Sequence, residues 1–266
     1  MVMFQLCNPI SIEEFNKLDF SLYFIQSKFD GVRAFLTRDA NGKITLMNRN
    51  LKDITHRYPE LQKLKLGYQK VSMDGEIVVL KNGVSDFEAL QSREHKEKKF
   101  EIEMASKVNP VTFIAFDILY YVEDLKKFKL QARKDILWAF RIYENDNFKI
   151  AEYVDANQEF IDKAKERGEE GIILKLKTAT YKGERTTDTL KLKFTKEQDI
   201  VINSYEINPA GITVTDGKHR IAVNGFKHKP VKEAIDKNGQ AMITIEFLQK
   251  TSGGMFRMPV FKKLVM

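Results

Sequence analysis

Lys28-Phe29-Asp30-Gly31-Val32-Arg33 sets a lysine, a carboxylate, a glycine and a guanidinium within six positions, between two strand-like runs at residues 22–27 and 32–37. A lysine in such company becomes a nucleophile if burial or neighbouring positive charge frees its amine. The plainer reading is a solvated turn, because Asp30-Gly31 is a strong turn dipeptide. The remainder of the chain decides between them.

Working outward, further strand signals fall at residues 44–47, 71–80, 111–121, 171–176 and 189–194, each rich in β-branched or aromatic residues and bounded by turn formers such as Asn41-Gly42 and Asn82-Gly83. Helical spacing lies between them. Ser85-Asp86 offers a cap for residues 87–93, residues 130–143 are amphipathic around Ile136, Leu137 and Phe140, and residues 157–167 put Phe160, Ile161 and Ala164 on one face. Strands and helices mixed without a regular alternation predict an α+β fold with mainly antiparallel sheets. After Lys196 the pattern changes to short strands at 200–206, 211–216, 219–224, 241–249 and 260–265, with a helix over 231–236. Five short strands and one helix predict a small β-barrel of the OB-fold kind, so the boundary is placed at 196/197. The charged stretch 93–103 reads as a solvated helix or loop.

Composition narrows the function. The 266 residues are 43% hydrophobic and 30% charged, an ordinary globular balance with room for two domains. No apolar run approaches the roughly 18 residues of a membrane helix, and the N-terminus lacks the pattern of an export signal. The single cysteine, Cys7, excludes an internal disulfide and any zinc site built on paired cysteines. A cytoplasmic protein is expected. The excess of 44 Lys and Arg over 37 Asp and Glu, net +7, favours a polyanionic partner, with nucleic acid first.

Four more segments carry groups able to do chemistry. In Met73-Asp74-Gly75-Glu76 two carboxylates stand two apart, and a strand projects both to one side, one for a metal and one for a ribose hydroxyl. Glu169-Glu170-Gly171 opens an apolar strand that ends in Lys175 and offers a second carboxylate for the metal. Lys191-Leu192-Lys193 places two ammonium groups on one strand face, suited to a triphosphate. Phe116, beside Asp117, offers an aromatic face for a base. Each also has a dull explanation, as turn, helix end, wet edge strand or core.

Their order along the chain is more specific than any one of them. Lys28 to Arg33, Asn48-Arg49-Asn50, Asp74 to Glu76, Phe116-Asp117, Glu170-Gly171 and Lys191 to Lys193 together resemble the covalent nucleotidyltransferase superfamily, and within it the ATP-dependent DNA ligases. Phe87-Glu88-Ala89-Leu90-Gln91-Ser92-Arg93, Thr180-Tyr181 and the closing Arg257-Met258-Pro259-Val260-Phe261 extend the resemblance over residues 22–261. It implies a nucleotidyltransferase (adenylation) domain at 1–196, an OB-fold domain at 197–266, ATP with Mg²⁺ or Mn²⁺, and a monomer acting on nicked duplex DNA without a membrane. Lys28 would attack the ATP α-phosphate, forming a lysyl-AMP that passes to the 5′-phosphate of the nick before the 3′-OH displaces AMP. Arg33 and Glu76 would contact the ribose, Phe116 would stack on adenine, and Asp74 and Glu170 would hold the metal. Lys191 and Lys193 would neutralise the AMP phosphate, Asp30 and Arg49 would act at the nick, and Arg257 would orient pyrophosphate. An RNA ligase or a capping guanylyltransferase shares the lysine motif, and a non-catalytic nucleic-acid-binding module is the reading from outside the enzymes. Two departures stand out. No separate N-terminal DNA-binding segment is visible, and Lys262-Lys263 follow the closing motif where arginines are common. Residues 230–240 read better as a helix plugging the barrel than as a DNA contact.

Overall fold

The computed structural model describes residues 3–265, which pack as two units that divide between Leu192 and Lys193. In the first unit the chain runs through β1 (Leu6–Pro9), β2 (Tyr23–Ser27), β3 (Val32–Arg38), β4 (Ile44–Asn48) and β5 (Val71–Val78) before its first long helices. These are α1 (Phe87–Glu94) and α2 (Lys99–Val108), followed by β6 (Thr112–Tyr121), α3 (Leu130–Trp138), β7 (Phe148–Ile150) and β8 (Val154–Asp155). Helix α4 (Gln158–Glu166), β9 (Gly171–Leu176) and β10 (Arg185–Lys193) complete it.

Two sheets result. One has the order β1-β10-β9-β2-β8, the other β7-β6-β5-β3-β4 with a short strand at Glu123–Asp124 added to β6. Strand β6 is buried over its first eight positions, which is why Phe113-Ile114-Ala115-Phe116 reads as a continuous apolar run and not as an alternation. The pairs β3–β4, β3–β5, β5–β6 and β2–β9 are antiparallel, as the residue pattern predicts, whereas β1–β10 and β6–β7 are parallel. Parallel neighbours come from distant sequence, so no turn dipeptide marks them.

Helix α1 starts where its cap predicts, with Asp86 accepting from the Ala89 backbone N–H at 2.9 Å. The charged stretch 93–103 is not solvated at its start. Arg93 is only 2% exposed, pairs with Glu60 and donates to the backbone carbonyls of Arg57 and Asn109, each at 2.9 Å. A guanidinium with several anchored acceptors tolerates burial that a lone charge would not.

The second unit contains β11 (Lys196–Ile202), β12 (Ser204–Asn208), β13 (Gly211–Thr215), β14 (Arg220–Asn224), α5 (His228–Asn238), β15 (Ala241–Phe247) and β16 (Val260–Val265). Its strands form two antiparallel sheets, β11-β15-β16 and β12-β13-β14, around one apolar core. The single strand expected over 200–206 is two strands. The break falls at Asn203, where the chain leaves one sheet and enters the other. Val231 and Ile235, four apart on α5, are buried in that core, and Gly239 ends the helix at φ +73°, a left-handed conformation that glycine adopts without strain. No helix among the described residues is long and apolar enough to cross a membrane.

Candidate active site

Lys28 leaves the end of β2 with its backbone N–H bonded to the Gly171 carbonyl at 2.9 Å, so the lysine loop is fastened to the strand that follows Glu170. Gly31 is required by close approach and not by an unusual φ. A Cβ there would collide with the Ile77 carbonyl and lie 2.8 Å from Val78 Cγ1. Gly75 is similar, since its Cβ would sit 2.6 Å from the Ile114 carbonyl and strike the Phe113 ring. The two motif glycines therefore let β3, β5 and β6 close around the site.

The strands enclose a cavity of about 400 Å³, within the range of small-molecule pockets. Lys28, Arg33, Arg49, Asp74, Glu76, Phe116, Lys175 and Lys191 all line it. Six segments far apart in sequence thus meet in one place. Asp30 is half-buried and does not line the cavity, and Lys193 and Arg257 belong to the second unit. The Lys193 ammonium lies 3.6 Å from the Met258 sulfur, beside the closing segment. Arg257 is held in that segment by backbone bonds in both directions between residues 248–249 and itself, at 3.1 and 2.9 Å.

Lys28 Nζ donates to Glu170 Oε2 at 2.5 Å, with both side chains mostly buried. Glu76 opens on the cavity from deep within the unit. Loss of hydration pushes its carboxyl up to about 8, although Lys28 and Arg33 pull the other way. Lys175 responds to burial with the opposite sign, its ammonium being pushed down to about 8 while it donates to the Phe116 carbonyl at 3.2 Å and the Tyr153 hydroxyl at 3.0 Å.

The structure corrects the expectation for Asp74. Its carboxylate is fully buried, takes Arg33 Nε at 3.0 Å and Nη2 at 2.7 Å, and accepts the Tyr181 hydroxyl at 2.7 Å. Both oxygens are committed, so a metal would have to displace a fork of charge-assisted bonds. Asp74 is instead the anchor that aims Arg33. Among the described residues no three His, Cys, Asp or Glu side chains cluster as a metal cage. Glu170, with one oxygen on the Lys28 ammonium, is the carboxylate that stands beside the lysine.

Four contributors escaped the sequence reading. Gln26 is 2% exposed, lines the cavity, and its Oε1 has no hydrogen-bond partner. It stands two residues before Lys28 on a strand, so period-two spacing could have found it. Lys175, read only as the end of a strand, proves to be a wall of the cavity. Its ammonium lies 4.5 Å from the centroid of the Phe116 ring. Arg133 of α3 holds Asp117 through two bonds of 2.7 and 2.9 Å, fixing the strand position beside Phe116. Gln5, with Leu6 and Cys7 of β1, closes one side, and no local signal marks them.

A family profile described as the ATP dependent DNA ligase domain matches residues 3–193. A DNA ligase of Staphylothermus marinus is 32% identical over 192 residues, which are 68% of this chain and 31% of that protein. A DNA ligase of Saccharolobus solfataricus is 31% identical over 205 residues, 73% of this chain and 33% of its own length. The chain thus spans about a third of the length of these curated relatives. Among solved structures, a Lig E DNA ligase aligns over 100% of both chains with a TM-score of 0.72 at 18% identity. A mycobacterial DNA ligase D complexed with ATP and MES aligns over 99% of this chain and 95% of its own, with a TM-score of 0.65 at 21% identity. Likeness at that level establishes the α+β fold with its OB-type second domain.

Proposed function

The chain belongs to the ATP-dependent DNA ligase domain family, and from that premise we propose that it seals nicks in duplex DNA through a lysyl-AMP intermediate. The observation that carries the reading is the convergence of Lys28, Arg33, Glu76, Phe116 and Lys191 on one cavity. Lys28 Nζ attacks the α-phosphorus of ATP, the bond to the bridging oxygen of pyrophosphate breaks, and the amine loses a proton as the phosphoramidate forms. The 5′-phosphate of the nick then takes the adenylyl group from Lys28. Finally the 3′-hydroxyl attacks that phosphate and AMP departs.

Phosphoryl transfer depends on in-line placement and charge neutralisation more than on elaborate covalent chemistry. Glu170, which holds the Lys28 ammonium, is also the carboxylate suited to Mg²⁺ or Mn²⁺, and the ion would neutralise phosphate charge when ATP binds. Arg33, aimed by Asp74, and Glu76 face the ribose. Phe116 supplies the base with an apolar wall, while the Gln26 amide and the Lys175 ammonium offer hydrogen bonds to its edge. Lys191 neutralises the transferring phosphate. Arg49, exposed at the cavity, meets phosphate at the nick.

The test offers labelled ATP, GTP or NAD, then nicked DNA or nicked RNA. The expected result is covalent label from ATP that is discharged by nicked DNA with sealing of the strand. Label from GTP alone, or discharge only on RNA, would replace this reading with a capping enzyme or an RNA ligase.

A further inference from the structure

The second unit carries a surface that the cavity chemistry does not use. Residues 217–232 contain five Lys or Arg (Lys218, Arg220, Lys227, Lys229, Lys232) and two histidines, with no Asp or Glu among them. In the middle of this run Phe226 is 88% exposed and is followed by exposed Lys227 and Lys229. Single exposed aromatics are common on protein surfaces, and what distinguishes Phe226 is the basic, acid-free sequence around it.

Phe226 is presented by ordered backbone. It lies in the 3-10 turn Gly225–Lys227 between β14 and α5. Gly225 turns at φ +63° and donates its N–H to the Ala210 carbonyl at 3.0 Å, and the His228 ring bonds the Gly225 carbonyl. Helix α5 continues directly from the turn and is pinned in the core by Val231 and Ile235. Arg220 is engaged by Glu206 at 3.0 and 2.6 Å, and Lys232 by Asp236 at 2.6 Å. Lys229 instead lies 5.8 Å from the centre of the Phe226 ring. The tip therefore presents an exposed aromatic ring beside a lysine.

We propose that the Phe226 tip is a second grip on duplex DNA, with Lys227 and Lys229 on backbone phosphates and the ring packed into the groove between them. Charge complementarity selects the occupant. An acid-free stretch of this density attracts a polyanion, and aromatic side chains between cations pack on sugar and base surfaces or wedge at base steps. The inference rests on the nick-sealing reading for the identity of the polyanion.

The test measures binding of the full chain to a nicked duplex that ends in a 3′-dideoxy nucleotide, across a salt series, for the wild type, Phe226→Ala, Phe226→Trp and the double variant Lys227→Ala/Lys229→Ala. Covalent adenylation by ATP is followed in parallel. Adenylation is expected to be unchanged in the three variants. Phe226→Ala should weaken binding about tenfold and Phe226→Trp should retain it. The double variant should lower the slope of log K against log salt by about two, near 0.9 for each phosphate left without its cation. Normal affinity and slope in the variants, while the wild type adenylates and binds, would overturn this inference and leave the nick-sealing reading standing. Failure of the wild type to adenylate or to bind DNA would overturn both. Concentration-dependent self-association abolished in Phe226→Ala, with DNA binding intact, would assign the tip to a second copy of the chain instead.

Discussion

The cavity of the first unit and the Phe226 tip of the second use positive charge in opposite ways. Around the cavity, Arg33, Lys28 and Lys175 are removed from bulk water and tied to Asp74, Glu170 and Tyr153, so each cation has a fixed direction before any ligand arrives. At the tip, Lys227 and Lys229 stand in solvent beside an exposed ring. Fixed, desolvated charge suits transition-state stabilisation, because little reorganisation is needed when the reaction occurs. Solvated charge suits a long polyanion, whose binding is driven by counterion release and falls with salt. Substitutions in the two regions should therefore separate by size and by salt dependence.

The largest effect is expected from Asp74→Ala. It strands the Arg33 guanidinium and should cost about 3–5 kcal/mol of stability, read by denaturant unfolding, with loss of adenylation and little response to salt. A Gly31→Ala variant comes next. The added methyl meets the β5 backbone, and a cost on the order of 1–3 kcal/mol follows from overpacking; ordinary stability in that variant would contradict the close approach of β3 and β5.

Glu76 and Lys175 sharpen the comparison through pH. For Glu76 the folded carboxyl, about 8, lies above its ordinary value of 4.5. Between these values the unfolded chain binds fewer protons, so its contribution is fully present below about 4.5 and is lost as pH rises to about 8. Glu76→Gln should remove this slope, making the nucleotide-free protein more stable than the wild type by a margin that widens from pH 5 to pH 8, while adenylation falls. Lys175 runs the other way. Its folded value, about 8, lies below 10.5, so its contribution to stability rises between those pH values, and Lys175→Met should flatten that rise. Thermal melts across pH read both. The smallest effect belongs to the second unit. Gly239→Ala forces a Cβ into a left-handed helix end, and a loss of about 1 kcal/mol is expected with the fold retained.

Much of this was legible in the residues. Strand periodicity placed Lys28, Asp74, Glu76, Phe116 and Lys191 at the ends or on the faces of strands, and the strands that carry them formed where β-branched and aromatic runs predicted them. What escaped were relationships between distant residues. Asp74 carried the signal of a metal ligand, and its true partners, Arg33 and Tyr181, lie 41 and 107 positions away. Arg93 sits in a run that reads as solvated, yet Glu60 and two carbonyls bury it. The wall formed by β1 depends on a parallel pairing with β10 that no turn announces. Gln26 was the exception, legible by simple alternation with Lys28.

Lys28 and Lys175 both present an amine to the same cavity, and only one is expected to carry AMP. Burial makes the Lys175 amine easier to discharge than an ordinary lysine, but it is held against the Phe116 carbonyl and the Tyr153 hydroxyl; Lys28 is held by Glu170, the carboxylate suited to the metal that accompanies the phosphates. Peptide mapping of the protein after incubation with ATP and Mg²⁺ tests the choice directly. A single adenylyl group on the peptide containing Lys28, absent from Lys28→Ala, is the expected result, and an adenylyl group on Lys175 or an undiminished adenylate in Lys28→Ala would contradict it.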